Sequence, residues 1–262
     1  MDDKTITRVT VLRGRTSDRS ASGARGAQAL GEALAARLGV TAGLAGEPGP
    51  PRDGGWADDL RDGRDAIAAA GTALEDALEA GEAPILLAGD CTIAMATLPV
   101  LARRDPAARV VWLDAHGDFN TPATTGSGFL GGMCLAAACG RWDGGFAGAL
   151  DPRRVVLADA RDLDAPEREE LDRAGVAIVP PAGVAAAVRG ERVFVHLDFD
   201  VLDPEAMPAR FPAPHGLTLP ALRAVLAELA SAASAVVGLE LTSIAPAHAA
   251  RLVEVLDPVL PG

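Results

Sequence analysis

From residue 84 onward the chain alternates short β-branched runs with stretches of helical period, and nothing else in the sequence restricts the fold as strongly. Strands are predicted at Thr7–Leu12, Pro84–Ala88, Arg109–Leu113, Val155–Ala158, Val176–Val179, Val193–Leu197 and Val236–Leu241. Helices are predicted at Ala24–Leu38, Trp56–Ala80, Thr92–Arg103, Met133–Cys139, Ala165–Ala174 and Leu219–Ala230. Such alternation builds an α/β fold with a mostly parallel sheet covered by helices on both faces. Ligand groups in such sheets gather at the C-terminal ends of the strands. Val40–Gly55, rich in Gly and Pro, reads as a surface loop and not a linker, because the compact pattern resumes at once. Residues 1–262 are therefore expected to form a single domain. With 49% hydrophobic residues the chain can bury a large core, and with only 3% aromatics aliphatic side chains must fill it.

The formal net charge of −12 argues against binding to a nucleic-acid backbone, which requires a positive face. It suits a chain that binds cations or a cationic small molecule. The opening MDDKTITRVTVLRG lacks a basic region followed by a long apolar core, so no signal peptide is expected. No apolar run approaches the length of a bilayer, so no membrane partner is expected either. Cys91, Cys134 and Cys139 are odd in number and scattered, which fits a reducing, cytoplasmic compartment better than a disulfide framework.

The sharpest chemical feature is Asp114-Ala115-His116-Gly117-Asp118-Phe119-Asn120, immediately after the strand VVWL. Potential ligands at every second position project to one side of an extended segment. Carboxylates with an imidazole suit divalent ions such as manganese. Taken alone, the cluster also reads as caps and turns, since Asp and Asn are common after strands. A second cluster weakens that reading. In Val195-His196-Leu197-Asp198-Phe199-Asp200 the polar residues alternate with apolar ones, so His196, Asp198 and Asp200 share a face. Carboxylates packed so closely would repel, and a proton or a cation must neutralise them. A metal centre shared by two strand ends explains both clusters.

The motifs LDAHGDFNTPATTGSG and HLDFDVLDP resemble the two aspartate-rich signatures of the arginase (ureohydrolase) family. LAGDCT resembles its first signature and GLELTSIAP its last strand, so the resemblance runs in order from about Ile85 to Pro246. It implies a single doubly wound sheet, two Mn2+ ions, and hydrolysis of a guanidinium-like carbon by a metal-activated water. Asp114, Asp118, Asp198 and Asp200 match the family's carboxylate ligands, and His116 its second histidine. Asn120 and Ser127 match its contacts to the substrate's α-carboxylate, and Asp162 and Asp164 its contacts to the α-amino group. An amino-acid-like small molecule is the implied substrate, and a homo-oligomer the implied assembly.

Four departures qualify the resemblance. Cys91 stands where most members carry a metal-binding histidine. A thiolate can ligate but is soft, which leaves room for another divalent metal at that site; the alternative is a buried, non-ligating cysteine. The family's proton-shuttling histidine falls on Gly131. His196 then has two readings, a substitute catalytic group or a partner that holds a ligand in place. The acid that grips the guanidinium falls on Ser243, which carries no charge. Finally, MPARFPAPHG at Met207–Gly216 replaces the family's Thr-Gly-Thr-Pro stretch and brings Arg210 and His215 to the expected rim. The Cys substitution, GFLGGM and CTIAMATLPV are most similar to the Nω-hydroxy-L-arginine hydrolase branch, which releases hydroxyurea and ornithine. Two other functions stay open: hydrolysis of a formimino or amidino substrate, and a catalytically idle relative.

Overall fold

A computed structural model describes residues 7–260. Eight strands form one sheet in which every recorded pairing is parallel. In chain order they are β1 (Thr7–Leu12), β2 (Gly43–Ala45), β3 (Ala83–Leu87), β4 (Arg109–Leu113), β5 (Val155–Ala158), β6 (Ala177–Val179), β7 (Arg192–Asp198) and β8 (Ala235–Thr242). The helices are α1 (Ser22–Leu38), α2 (Trp56–Glu79), α3 (Ala94–Arg104), α4 (Cys134–Ala138), α5 (Ala165–Ala174), α6 (Val184–Ala187), α7 (Leu219–Ala232) and α8 (Ala249–Leu256). Short 3-10 turns punctuate them. No described helix is long and apolar enough to cross a membrane.

The sheet is covered on both faces, as the buried runs of β3, β4 and β5 require. One core joins α1, α6, α7 and α8 to the sheet through Leu30, Leu34, Val188, Leu222, Leu226 and Leu252. The other joins α2, α3, α4 and α5 through Ile67, Leu74, Leu98, Leu135 and Leu171. Neighbouring side chains on each strand point to opposite cores: Val111 and Leu113 to the first, Val110 and Trp112 to the second. Of the few aromatics, Trp112, Phe119, Phe194 and Phe199 are fully buried in these cores.

Strand order is β2-β1-β3-β8-β7-β4-β5-β6. The chain therefore leaves β3, passes over two positions and resumes at β4, and β7 and β8 later fill the gap. Crossovers that change direction leave a crevice beyond the strands' C-terminal ends. Here the ends of β3, β8, β7 and β4 meet, carrying Cys91, Ser243, Asp198 and Asp114 respectively.

Three elements went unpredicted. Within the expected loop Val40–Gly55, Gly43–Ala45 pairs with β1 as an edge strand. Three residues, two of them exposed, are too few to show a period. Helix α6 spans four residues, and α8 follows Pro246 with barely two turns, so neither offered a full periodic window.

Candidate metal centre and substrate cavity

Local structure explains how each acidic side chain reaches the crevice. At the end of β4, Asp114 Oδ1 accepts the His116 backbone N–H at 2.7 Å, which turns the chain out of the strand. Asp118 adopts a left-handed φ of 48°, costly for a side chain with a Cβ, and is held there by tertiary bonds. Its carbonyl accepts from Leu135 at 3.0 Å and from Ala136 at 3.2 Å, which ties the loop to α4. Asp198 is the last residue of β7, and its Oδ1 accepts the Asp200 N–H at 2.8 Å. Phe199 and Val201 are drawn into the core beneath, so Asp198 and Asp200 stay on the crevice side. After β3, Asp90 caps a 3-10 turn at Cys91–Ile93 through Thr92 N, at 2.9 Å.

The expected ligands converge. Cys91, Asp114 and His196 form one group whose donor atoms lie within 4.8 Å of one another, and Asp114, His116 and Asp200 form a second. Asp114 is common to both groups. Cys91 Sγ lies 2.8 Å from Asp198 Oδ2, which also accepts from Thr242 Oγ at 3.1 Å and Ser243 Oγ at 2.5 Å. His116 Nδ1 stands 3.1 Å from Asp200 Oδ2 and 3.3 Å from Asp114 Oδ1.

The electrostatics fit a divalent cation. Burial, then the charge of Asp114 among others, pushes Asp118 well above the usual carboxylate range. Burial and the charges of Asp198 and Asp114 do the same to Asp200, and Asp198 is raised too. Cys91 is pushed well up by burial and by Asp198, Asp118 and Asp114. A cation among them would reverse each of these displacements. Asp114 is the exception: burial works to raise it, but the hydrogen bonds and charge of His116 hold it low. His116 itself, despite burial, is pushed up to about 12 by Asp114 and Asp200. In the bare protein this imidazolium supplies the positive charge that the acids require.

The crevice opens into a cavity of about 440 Å3. Every expected substrate residue lines it: Asn120, Ser127, Asp162 and Asp164. Asn120 is only 8% exposed, and among the described residues its Oδ1 has no partner, which leaves a hydrogen-bonding position for a ligand. Three lining acids were missed in the sequence, one of them Asp90, which caps the Cys91 turn. Glu167 accepts from Phe119 N at 2.8 Å, and burial pushes its carboxyl up to about 7. Its spacing of three from Asp164, at the first turn of α5, was the available signal. Asp18 sits in irregular chain after β1, where no pattern marks it.

The departures acquire physical causes. His196 is fully buried and lies behind Cys91, outside the cavity lining. Its Nε2 is 3.3 Å from Cys91 Sγ and its Nδ1 2.8 Å from Glu240 Oε1, while Glu240 Oε2 accepts from Thr97 Oγ at 2.6 Å. Its ring stacks on Trp112 with centroids 3.5 Å apart. So enclosed and off the cavity wall, His196 touches the Cys91 sulfur rather than the cavity, the placement expected of a partner that holds a ligand. At Gly131 a Cβ would come within 2.4 Å of the Phe129 ring, so that ring fills the space a larger side chain would need. Arg210 lines the mouth beside Phe211, whereas His215 does not line the cavity.

Sequence and structure comparisons agree with this geometry. The model of the arginase family matches residues 53–252. An N(omega)-hydroxy-L-arginine amidinohydrolase of Streptomyces lavendulae is 39% identical over 261 residues, covering 96% of this chain and 95% of its own. The arginase of Bacillus caldovelox superposes with a TM-score of 0.80 at 25% identity, over 98% of both chains. A proclavaminate amidino hydrolase of Streptomyces clavuligerus, at 21% identity, shares the fold with a TM-score of 0.74 over 98% of this chain and 90% of its own. With the aspartate-lined crevice, the parallel sheet and a near-full-length relative in agreement, the chain belongs to the arginase family.

Proposed function

We propose that this protein hydrolyses a C–N bond of a guanidino-type amino acid, with Nω-hydroxy-L-arginine as substrate and hydroxyurea and ornithine as products. The observation that carries it is the pair of ligand groups sharing Asp114 on the floor of a cavity whose walls hold Asn120, Ser127, Asp162 and Asp164. The name of the near-full-length Streptomyces lavendulae relative supports the choice of substrate.

Asp114, His116, Asp118, Asp198 and Asp200 would hold two manganese ions, with Cys91 completing the site and able to favour a softer divalent metal. Such a pair, when bound, supplies acidified water at neutral pH. The protein's own groups do the rest. Asn120 and Ser127 hold the α-carboxylate, while Asp162, Asp164 and Glu167 surround the α-amino group, so the reacting carbon is fixed over the metal floor. Glu240 and His196 keep the Cys91 sulfur aimed at that floor. Gly131 cannot deliver a proton. A hydroxyguanidine is less basic than a guanidine and needs less proton delivery, which matches that loss. Arg210 at the mouth is the one feature favouring a formimino substrate with an acidic tail; His215, outside the cavity lining, does not join it.

Metal analysis joined to a substrate screen tests the assignment. Manganese-loaded protein is expected to carry two ions per chain and to release hydroxyurea from Nω-hydroxy-L-arginine faster than urea from arginine or agmatine. Absence of any urea-type product or amine across the panel would end it.

A further inference from the structure

We infer that Asp18 receives the positive end of the substrate, taking over the role that the uncharged Ser243 cannot fill; this rests on the hydrolase reading above. The inference begins with what β8 offers. Both hydroxyls at its end are committed to Asp198 Oδ2, Thr242 at 3.1 Å and Ser243 at 2.5 Å. Neither presents charge to the cavity. Across the cavity, Asp18 lines the wall and is only 8% exposed.

Its carboxylate is nearly without partners. Oδ2 accepts one long bond, from Thr16 N at 3.4 Å, and among the described residues no arginine or histidine pairs with it. Arg15, on the same segment, is spent on buried Asp59, and Arg19 reaches Asp53 and the Gly54 carbonyl instead. Neighbouring Asp90 is satisfied by Thr16 Oγ, Ser17 N, Ser17 Oγ and Thr92 N at 2.9–3.1 Å. Asp18 thus faces a second anion with no directly paired cation, and only the charge of Arg15 and backbone N–H groups oppose it. Burial, then the charge of Asp90, pushes its carboxyl up to about 7. A buried carboxylate in that state is costly unless something positive completes it.

Its place in the fold says which end of the substrate it meets. Asp18 Oδ1 lies over Gly89, where a Cβ would come within 1.9 Å of it. Gly89 lies two residues before Cys91, so Asp18 stands at the metal end of the cavity. The amino-acid contacts lie on the loops after β4 and β5. Gly23 in turn presses on the Gly89 carbonyl, where its Cβ would come within 2.4 Å, and holds the start of α1 against the end of β3. An Asp18 carboxylate fixed there can accept a charge-assisted hydrogen bond from a guanidinium or hydroxyguanidinium N–H.

Calorimetry on the metal-loaded full chain tests this without relying on turnover. The probes are L-lysine, a cation with no C–N bond of the cleaved type, and L-2-aminoheptanoate, its uncharged counterpart of equal length. The unsubstituted protein is expected to bind lysine about tenfold or more tightly than the neutral probe. Asp18→Asn should bring that ratio close to one with the neutral probe unaffected. Glu32→Gln, an equal change of net charge on the exposed face of α1, should leave the ratio alone. Asp18→Asn relieves repulsion with Asp90, so its melting temperature should hold or rise, which separates a binding role from a structural one. A ratio retained in Asp18→Asn, or lost equally in Glu32→Gln, overturns the role of Asp18 while leaving the hydrolase reading intact. Failure of the unsubstituted protein to bind either amino acid would overturn both.

Discussion

At Gly131 the missing side chain and its neighbour make one local design. The ring of Phe129 occupies the space beside Gly131 and packs against Phe211 with centroids 4.8 Å apart, while the Arg19 guanidinium lies over it, 5.0 Å from the ring centroid. Restoring a histidine there is therefore not a simple gain of a proton relay. Gly131→His is expected to push Phe129 into the mouth and lower kcat/KM for the hydroxyguanidine about tenfold, a loss of about 1.4 kcal/mol in transition-state binding. Gly131→His combined with Phe129→Ala should recover most of that. Steady-state kinetics on the single and double variants checks it, and a faster Gly131→His enzyme would contradict it. Residues such as Gly131 and Ser243 were visible in the sequence as departures from a motif. That Phe129 fills the space at one, and that Asp198 takes the hydroxyl of the other, belongs to contacts between distant segments, which spacing does not encode.

At the scale of elements, the turn Cys91–Ile93 is the part that a short segment near the N-terminus holds in place. Asp90 takes four donors, three of them from Thr16 and Ser17, which follow β1. Truncation in Asp90→Ala would strand buried donors on two segments at once. The expected cost is about 3 kcal/mol of stability. The Cys91 turn should loosen with it, and metal content should fall toward one ion per chain. Urea unfolding and metal analysis of the same preparation measure both, and a variant of full stability with both ions would refute the coupling. This link between strand ends was not legible beforehand, although the strands themselves were. The predicted β4 and β5 coincide with the observed ones, because their apolar runs are bounded by polar turns. Strand β7 runs one residue further at each end, from Arg192 to Asp198, and at its C-terminal end the ladder to Thr242 of β8 carries the ligand inside the sheet. Thr92–Arg103, read as one helix, opens instead with the Asp90-capped 3-10 turn, which is what aims Cys91 at the crevice.

Over the whole molecule, a net charge of −12 coexists with acids drawn inward to one crevice, and this sets how stability responds to pH. Asp18 and Glu167 are each pushed up to about 7, chiefly by burial, and His116 up to about 12 by Asp114 and Asp200. For all three the folded chain keeps its proton to a higher pH than the unfolded chain. Each therefore contributes stability that is fully present below its unfolded value and lost as pH rises through its folded value. For the two carboxyls that window runs from about 4 to about 7, and for the histidine it begins near 6.5 and extends well past neutrality. Between pH 5 and 8 the two carboxyls together cost the metal-free protein about 5 kcal/mol, and His116 adds to the loss with the same sign. Against a total of about 5–15 kcal/mol for a typical domain, that is a large fraction. The metal-free chain is thus expected to melt at a lower temperature at pH 8 than at pH 5. Divalent cations bind the deprotonated ligands, so the stabilisation on adding manganese should grow over the same interval. Thermal melts across pH, with and without the ion, decide it: a metal-free protein that gains stability toward pH 8 would mean that the buried acids are neutralised by something other than protons or metal.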